Sequence, residues 1–176
     1  LLYGNVFASS GSILVLLDKC VKEGKTATLF SEEMTRFGIT KGSAVQLIDR
    51  TLFDEIHNGV TIIPRISSFK VKDLFEIYKE ELGLKYNIGV PRVGEKIHEI
   101  MIAEEEVPRV RTDGNTYVLD PKRLSNSVTF PNGSYSSRDF TISNGYLSIA
   151  FFTLCFKSAY HIYSMSQIPV TWIPTI

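Results

Sequence analysis

The chain has 176 residues, a formal net charge of zero, 44% apolar residues and 22% charged residues. This length suits one domain with a buried core, and the absence of a basic excess argues against a nucleic-acid partner. Two cysteines, Cys20 and Cys155, are too few for a disulfide framework or a cysteine-based metal site. They favour buried, inert thiols in a reducing cytoplasm.

The apolar periodicity predicts strands that alternate with helices, which indicates an α/β fold. In chain order the predicted elements are a strand at 1–8, a helix at 13–23, a strand at 26–30, a loop at 31–40, a helix at 44–56, a strand at 60–66, a helix at 70–82, a strand at 85–90, a helix from 92 and a strand at 115–121. The inner face of the fourth helix is predicted to carry Ile97, Ile100 and Met101. Ser12 is a candidate N-cap for the first helix, and Gly24 and Gly83 are placed to end the first and third.

The stretch PRVGEKIHEIMIAEEE, residues 91–106, gathers charged residues at the predicted start of the fourth helix. A guanidinium fork matches phosphate oxygens, and a helix N-terminus adds free N–H groups and partial positive charge. Arg92 and, from the earlier loop, Arg36 are therefore candidate phosphate ligands, with ordinary surface arginines as the alternative. Glu95 either caps its own helix or accepts hydrogen bonds from a pair of sugar hydroxyls.

Residue spacing argues against two other kinds of site. The chain has no Gly-x-Gly-x-x-Gly turn for a dinucleotide, and none of its eight tyrosines has a lysine four residues later, as a short-chain dehydrogenase requires. A zinc site at His98-Glu99 would need a second histidine at position 102, where Ile102 stands. We therefore expect no metal site and no redox chemistry by these side chains.

The two ends of the chain differ from its middle. The sequence begins at Leu1 without a methionine or a signal peptide, so we expect a piece of a longer protein. Residues 122–176 form a divergent, aromatic-rich tail. Its apolar run at 146–156 is too short for a membrane span, which takes about 20 residues. We therefore divide the chain into a lobe at 1–121 and a tail at 122–176.

Six motifs occur in the order found in one family of sugar-modifying enzymes. They are YGNV at 3–6, ASSGS at 8–12, EEMTRF at 32–37, IPR at 63–65, RVGEKIHEIMIAEEE at 92–106 and YVLDP at 117–121. The chain resembles the C-terminal part of the inverting UDP-N-acetylglucosamine 4,6-dehydratases, which are extended short-chain dehydrogenase/reductases of capsular polysaccharide biosynthesis. The resemblance covers residues 2–121, with a weaker echo in YSS at 135–137.

The resemblance implies that residues 1–121 are a substrate-binding lobe with the last strands of a Rossmann fold. The N-terminal Rossmann half, missing here, would carry NADP and the Tyr/Lys chemistry. The implied substrate-binding residues are Asn5, Met34, Arg36, Arg92 and Glu95. Arg36 and Arg92 would clamp the diphosphate of a UDP-sugar, with Asn5 near it. Glu95 would take the ribose hydroxyls, and Met34 would line the nucleoside together with residues 28–30.

In the family reaction, NADP takes a hydride from carbon 4 of the sugar and water is then lost across carbons 5 and 6. The hydride returns to carbon 6, with inversion at carbon 5. The resemblance implies that the parent enzyme is an NADP-dependent lyase, a homo-oligomer and cytoplasmic, and that the present chain alone is inactive. Its own part would be to position the UDP-sugar through diphosphate binding energy.

Three positions depart from the family pattern. Leu2 and Ser10 stand where the family usually has arginine, and Val93 stands where it has proline. The first two changes remove positive charge near the cofactor and substrate phosphates. Two alternatives therefore stay open: a fragment of a UDP-sugar 4-epimerase, which would share the diphosphate grip, or a non-catalytic UDP-sugar-binding remnant.

Overall fold

The computed structural model describes residues 1–53 and 59–142, and these form an α/β fold, as the sequence predicted. The helices are α1 Ile13–Glu23, α2 Lys41–Phe53 and α3 Val71–Leu82, with a 3-10 helix at Glu104–Arg109. The strands are β1 Asn5–Val6, β2 Ala27–Leu29, β3 Thr35–Ile39, β4 Thr61–Pro64, β5 Ser68–Lys70, β6 Tyr86–Ile88, β7 Ile100–Ile102, β8 Val110–Asp113, β9 Thr116–Leu119 and β10 Tyr135–Ser136.

Within the described residues, the strands form four small sheets rather than one large one. In the first, β1 lies parallel to β3, with Asn5 opposite Gly38, and β3 lies antiparallel to β5. In the second, β2 lies parallel to β6. Strands β4, β9 and β8 form an antiparallel sheet, and β10 pairs antiparallel with β7. Parallel pairs need a crossover connection, and α3 lies in the connection between β2 and β6.

In the part of the chain that the structure describes, buried side chains form three apolar clusters, which hold the sheets together. The first packs α1 and α3 against β2 and includes Leu14, Leu17, Leu29, Phe69, Leu74, Phe75 and Tyr78. The second surrounds Tyr135 and includes Phe37, Ile63, Ile102, Val110, Tyr117, Val128 and Phe130. The third packs α2 on β3 and β4 and includes Ile39, Ala44, Leu47, Ile62 and Val118. Cys20 is a half-buried free thiol beside the first cluster.

The predicted ends of α1 and α3 are confirmed. Gly24 and Gly83 each follow their helix in the left-handed region, at φ +62° and +69°, which glycine adopts without the steric cost of a Cβ atom. The backbone N–H of Gly24 donates to the carbonyl of Val21. Ser12 occupies the N-cap position of α1, but its side chain makes no capping hydrogen bond.

The loop predicted at 31–40 is wrong in its second half, because residues 35–39 form β3. Thr35, Phe37 and Ile39 are buried, while Arg36 and Gly38 between them are half-buried. This alternation has the period of a strand. This strand pattern could not be recognised from the sequence, because Thr35 and Arg36 are polar and their burial depends on hydrogen bonds to distant residues.

The helix predicted from residue 92 is also wrong. Residues 92–95 form a turn in which the N–H of Glu95 donates to the carbonyl of Arg92, and Gly94 has φ +84°. The carbonyl of Ile97 accepts from the N–H of Thr35 instead of from a helical neighbour, and residues 100–102 pair with β10. The apolar spacing that suggested a helix therefore belongs to a turn and a strand, and no helix N-terminus lies at Arg92.

Some predictions fall outside the described residues. These are the end of the second helix near residue 57 and the tail beyond residue 142, including Cys155 and the run at 146–156. Of the helices described, none is long and apolar enough to cross a membrane. The division at 121/122 stays a prediction, although Val128, Phe130 and Tyr135 pack in the same cluster as Ile63 and Val110.

Candidate functional site

A cleft of about 760 Å³ is lined mainly by four parts of the chain. These are the segment from the end of β1 into α1, strand β2 with Phe30 after it, Met34 with Arg36, and Arg92 with Glu95 of the turn at 92–95. The five residues that the sequence indicated as substrate-binding all line it: Asn5, Met34, Arg36, Arg92 and Glu95. Side chains that lie between positions 5 and 95 of the sequence thus share one concave surface, although the predicted helix N-terminus is absent from it.

The guanidinium of Arg36 is held by the protein itself. Its Nη1 donates to the carbonyl of Thr35 at 2.8 Å and to that of Ile97 at 3.2 Å. Its Nη2 donates to Oε1 of Glu95 at 2.9 Å, and its Nε lies 3.8 Å from Oε1 of Glu99. The side chain of Arg36 is 16% exposed and that of Glu95 is 29% exposed. A diphosphate would therefore meet a guanidinium whose charge two carboxylates already balance.

Arg92 is the exposed cation of the cleft. Its Cζ lies 4.9 Å from the centroid of the Phe30 ring, within the range of cation–π attraction. Across residues 1–53 and 59–142, no carboxylate oxygen lies within 4.0 Å of its guanidinium. The ring steadies the guanidinium while its N–H donors stay available to an anion.

Glu99, which the sequence analysis did not assign to the site, connects β1 with β3. Nδ2 of Asn5 donates to Oε1 and Oε2 of Glu99 at 3.0 and 3.1 Å and to the carbonyl of Phe37 at 3.1 Å. The N–H of Phe37 donates to Oε2 of Glu99 at 3.0 Å. In the sequence, Glu99 stood out only within the motif at 92–106 and beside His98 in the rejected zinc site, because the partners of its carboxylate lie 94 and 62 positions away.

Next to Glu99, the hydroxyls of Thr35 and Ser137 and the imidazole of His98 form a hydrogen-bonded group at the start of β3. Oγ1 of Thr35 is hydrogen-bonded to Nδ1 of His98 at 2.8 Å and to Oγ of Ser137 at 2.7 Å. The N–H of Glu99 donates to the same Ser137 oxygen at 2.8 Å. Burial lowers the pKa of His98 below its usual value, and the nearby Arg138 guanidinium lowers it further. His98 therefore serves as a neutral hydrogen-bonding residue that supports β3.

Acidification should destabilise the fold through His98. The unfolded chain takes up a proton near its ordinary pKa of 6.5 and the folded chain only at lower pH. The contribution of His98 to the free energy of unfolding is therefore complete above pH 6.5. It is lost as the pH falls towards the lower pKa that His98 has in the folded chain. We expect the free energy of unfolding, measured with urea at pH 7 and pH 5, to fall less in His98→Asn than in the unaltered chain. A folded-state imidazole pKa above 6.5 by NMR would contradict this.

Met34 and Thr28 line the cleft as part of its structure. Met34 is 5% exposed, and its carbonyl accepts from the N–H of Val71. Oγ1 of Thr28 donates to Oδ1 of Asn87 at 3.0 Å, which joins β2 to β6. In the part of the chain that the structure describes, no group of three His, Cys, Asp or Glu side chains could hold a metal ion.

Comparison with known proteins identifies the family. The sequence profile of the family described as Polysaccharide biosynthesis protein matches residues 1–121. The chain belongs to that family. It is 36% identical over 120 residues to the UDP-N-acetylglucosamine 4,6-dehydratase (inverting) of Campylobacter jejuni serotype O:2, a match covering 68% of this chain and 35% of the relative. The resemblance drawn from the motifs is confirmed.

The chain is also similar to proteins other than the dehydratase. An uncharacterized membrane protein of Methanocaldococcus jannaschii is 36% identical over 129 residues, covering 68% of this chain and 38% of the relative. The UDP-glucose 4-epimerase of Rickettsia akari is 28% identical over 135 residues, covering 74% and 39%. The solved structure of Pen from Bacillus thuringiensis has a TM-score of 0.74 at 24% identity, covers 85% of this chain and 47% of that one, and so shares its fold. The chain spans between 35% and 39% of the length of these curated relatives.

Proposed function

We propose that this chain is the substrate-binding part of a nucleotide-sugar dehydratase, an extended short-chain dehydrogenase/reductase that acts on UDP-N-acetylglucosamine in the cytoplasm and works as a homo-oligomer. The observation that carries the proposal is the cleft, since it brings together the five residues that the motifs had indicated. A cleft lined by one exposed guanidinium, one balanced guanidinium and the Glu95 carboxylate suits a ligand that is anionic at one end and rich in hydroxyls at the other.

Within this proposal Arg92 binds the diphosphate and Glu95 binds the ribose. Oε1 of Glu95 accepts from Arg36, and, among the described residues, no hydrogen bond occupies its Oε2. That oxygen can accept from ribose hydroxyls while the ion pair holds the carboxylate in place. Arg36 acts mainly by fixing Glu95, and it approaches the diphosphate as part of that pair. Binding energy gained at the nucleotide then positions the sugar for reaction.

The present chain lacks the motifs that would bind NADP, the cofactor of the proposed parent enzyme. The 176 residues contain no Gly-rich phosphate turn and no Tyr-x-x-x-Lys pair. Ser10, in the loop that lines the cleft, and Leu2, which is 42% exposed, supply no charge to a phosphate. We infer that NADP, which supplies hydride transfer when bound, is held mainly by residues outside this chain.

Isothermal titration calorimetry of the 176-residue chain with UDP-N-acetylglucosamine and with UDP tests the proposal. We expect both ligands to bind, the sugar nucleotide more tightly, because the sugar adds contacts to those of the diphosphate. Higher ionic strength should weaken both, since Arg92 is exposed and its attraction is screened by salt. Absence of heat with both ligands at millimolar concentration would refute the proposal.

A UDP-sugar 4-epimerase is the second candidate. The epimerase relatives match a longer part of this chain than the dehydratases do, up to 81% in Rickettsia typhi against 68%. An epimerase fragment should bind UDP-glucose at least as tightly as UDP-N-acetylglucosamine, whereas a fragment of the dehydratase should prefer the acetamido sugar. The ratio of the two dissociation constants therefore separates the candidates.

A further inference from the structure

We propose that Asn5 presents a hydrogen-bond acceptor to the cleft and recognises a hydroxyl or amide N–H group on the sugar, and that Glu99 is the positioning residue that fixes this orientation. The identity of the ligand rests on the proposed function. The orientation of the amide rests only on hydrogen bonds within the protein, so the two parts can fail separately.

Both donor hydrogens of the Asn5 amide are already used. One is directed at the carbonyl of Phe37, 3.1 Å from Nδ2, and the other at the carboxylate of Glu99, 3.0 and 3.1 Å away. A carbonyl and an ionised carboxylate can only accept hydrogen bonds. The NH₂ group must therefore face the protein, whichever way the amide is drawn. Among residues 1–53 and 59–142, no hydrogen bond reaches Oδ1, which is left to the cleft that Asn5 lines.

Glu99 is itself held on several sides. Its Oε2 accepts from the backbone N–H of Phe37 at 3.0 Å, and its Oε1 lies 3.8 Å from Nε of Arg36. Its backbone N–H donates to Oγ of Ser137, and its carbonyl accepts from the N–H of Ser137, both at 2.8 Å. The carboxylate is thus a fixed acceptor. Rotation of the Asn5 amide would place Oδ1 against three acceptor oxygens, the carbonyl of Phe37 and both carboxylate oxygens of Glu99.

This arrangement selects the chemistry of the group that Asn5 meets. Diphosphate oxygens at neutral pH are acceptors and would be repelled by Oδ1 and by the Glu99 charge beside it. A sugar hydroxyl or an acetamido N–H carries the donor that Oδ1 requires. Asn5 therefore lies at the sugar end of the cleft and Arg92 at the phosphate end, which differs from the motif-based expectation that Asn5 lies near the diphosphate.

Calorimetry with three ligands tests the sugar contact. Asn5→Ala should weaken binding of UDP-N-acetylglucosamine about tenfold, the cost of one lost hydrogen bond, and should leave UDP within about twofold. An equal loss with UDP-glucose supports a ring hydroxyl as the donor. A loss confined to UDP-N-acetylglucosamine supports the amide N–H. Equal weakening of UDP, or no weakening of either sugar nucleotide, would refute the contact.

Glu99→Gln tests the positioning role, with Glu105→Gln, an exposed glutamate of the 3-10 helix, as the matched control. Removing the charge weakens the hold on the Asn5 amide and lowers repulsion of phosphate. Affinity for the sugar nucleotide should fall severalfold, and affinity for UDP should stay equal or rise. A purely structural role would lower both affinities together, and that result would overturn the assignment of Glu99.

NMR of the ¹⁵N-labelled chain decides the amide orientation without any ligand. The side-chain NH₂ of Asn5 should exchange with water more slowly than that of Asn115, an exposed turn residue. Its exchange should accelerate in Glu99→Gln. Equal exchange rates for Asn5 and Asn115 would overturn the orientation even if the sugar nucleotides bind. Slow Asn5 exchange without any binding would uphold the orientation while refuting the sugar contact and the proposed function.

Discussion

Arg92→Ala is expected to weaken binding of both UDP-N-acetylglucosamine and UDP by about 10- to 100-fold, since hydrogen bonds to charged groups contribute about 1.5–3 kcal/mol. Within the described chain, Arg92 is the cleft guanidinium that no carboxylate balances, and Phe30 holds it 4.9 Å from its ring centroid. Arg36 cannot replace it without giving up Glu95. Calorimetry of the variant with each ligand measures the effect.

A conservative variant and a control show whether Arg92 binds the diphosphate through the directed hydrogen bonds of its guanidinium or through its positive charge alone. Arg92→Lys should recover only part of the affinity, because an ammonium group keeps the charge but loses the planar fork and much of its stacking on Phe30. Arg123→Ala, which removes an exposed arginine far along the chain, is the matched control and should bind like the unaltered protein. Full affinity in Arg92→Ala would show that the diphosphate binds elsewhere.

Tyr135→Ala should lower the free energy of unfolding by about 3–5 kcal/mol, as expected for truncation of a large buried aromatic side chain. Tyr135 is 1% exposed, and its ring centroid lies 4.8 Å from that of Phe37 and 5.1 Å from that of Tyr117. Its hydroxyl accepts from the N–H of Ile66 at 2.9 Å and donates to the carbonyl of the same residue at 2.7 Å. Urea unfolding followed by circular dichroism measures the change.

Tyr135→Phe separates the ring from the hydroxyl. It keeps the packing but leaves both backbone groups of Ile66 without their partner, so we expect a loss of about 1–3 kcal/mol. Phe53→Ala removes a side chain that is 83% exposed and should change stability by no more than about 0.5 kcal/mol. If Tyr135→Ala unfolds like the unaltered chain, residues 128–137 do not belong to the same cooperative unit as the lobe.

The charge balance of the cleft has a consequence for ligand choice. Arg36, Arg92 and Glu95 line the cleft, and Glu99 lies against Arg36 outside the lining. The four charges cancel, and among the described residues Arg92 is the cleft cation that no carboxylate contacts. Such a site favours a ligand that carries its anionic charge in one place and donor groups elsewhere. A UDP-sugar has this distribution, whereas an extended polyanion spreads its charge over many positions and offers few donors to the carboxylates and to Asn5.

Local sequence signals determined several elements of this protein. Helices α1 and α3 follow from their apolar spacing, and Gly24 and Gly83 end them because a left-handed residue closes the last turn. The family follows from motifs, since each is a short run of residue types in a fixed order. The predictions of the helix ends and of the family succeeded because the information lies within a few neighbouring positions. The five motif residues line one cleft, and their binding role stays a prediction.

Tertiary structure alone decided the path and orientation of the site. Residues 92–102 form a turn and a strand because the carbonyl of Ile97 accepts from Thr35 and Arg36, about 60 positions earlier. Residues 100–102 pair with β10, about 35 positions later. The orientation of the Asn5 amide depends on Glu99, 94 positions away. Helical periodicity could not reveal these partners, because hydrogen bonds between distant residues compete with local ones and a sequence window contains only the local ones.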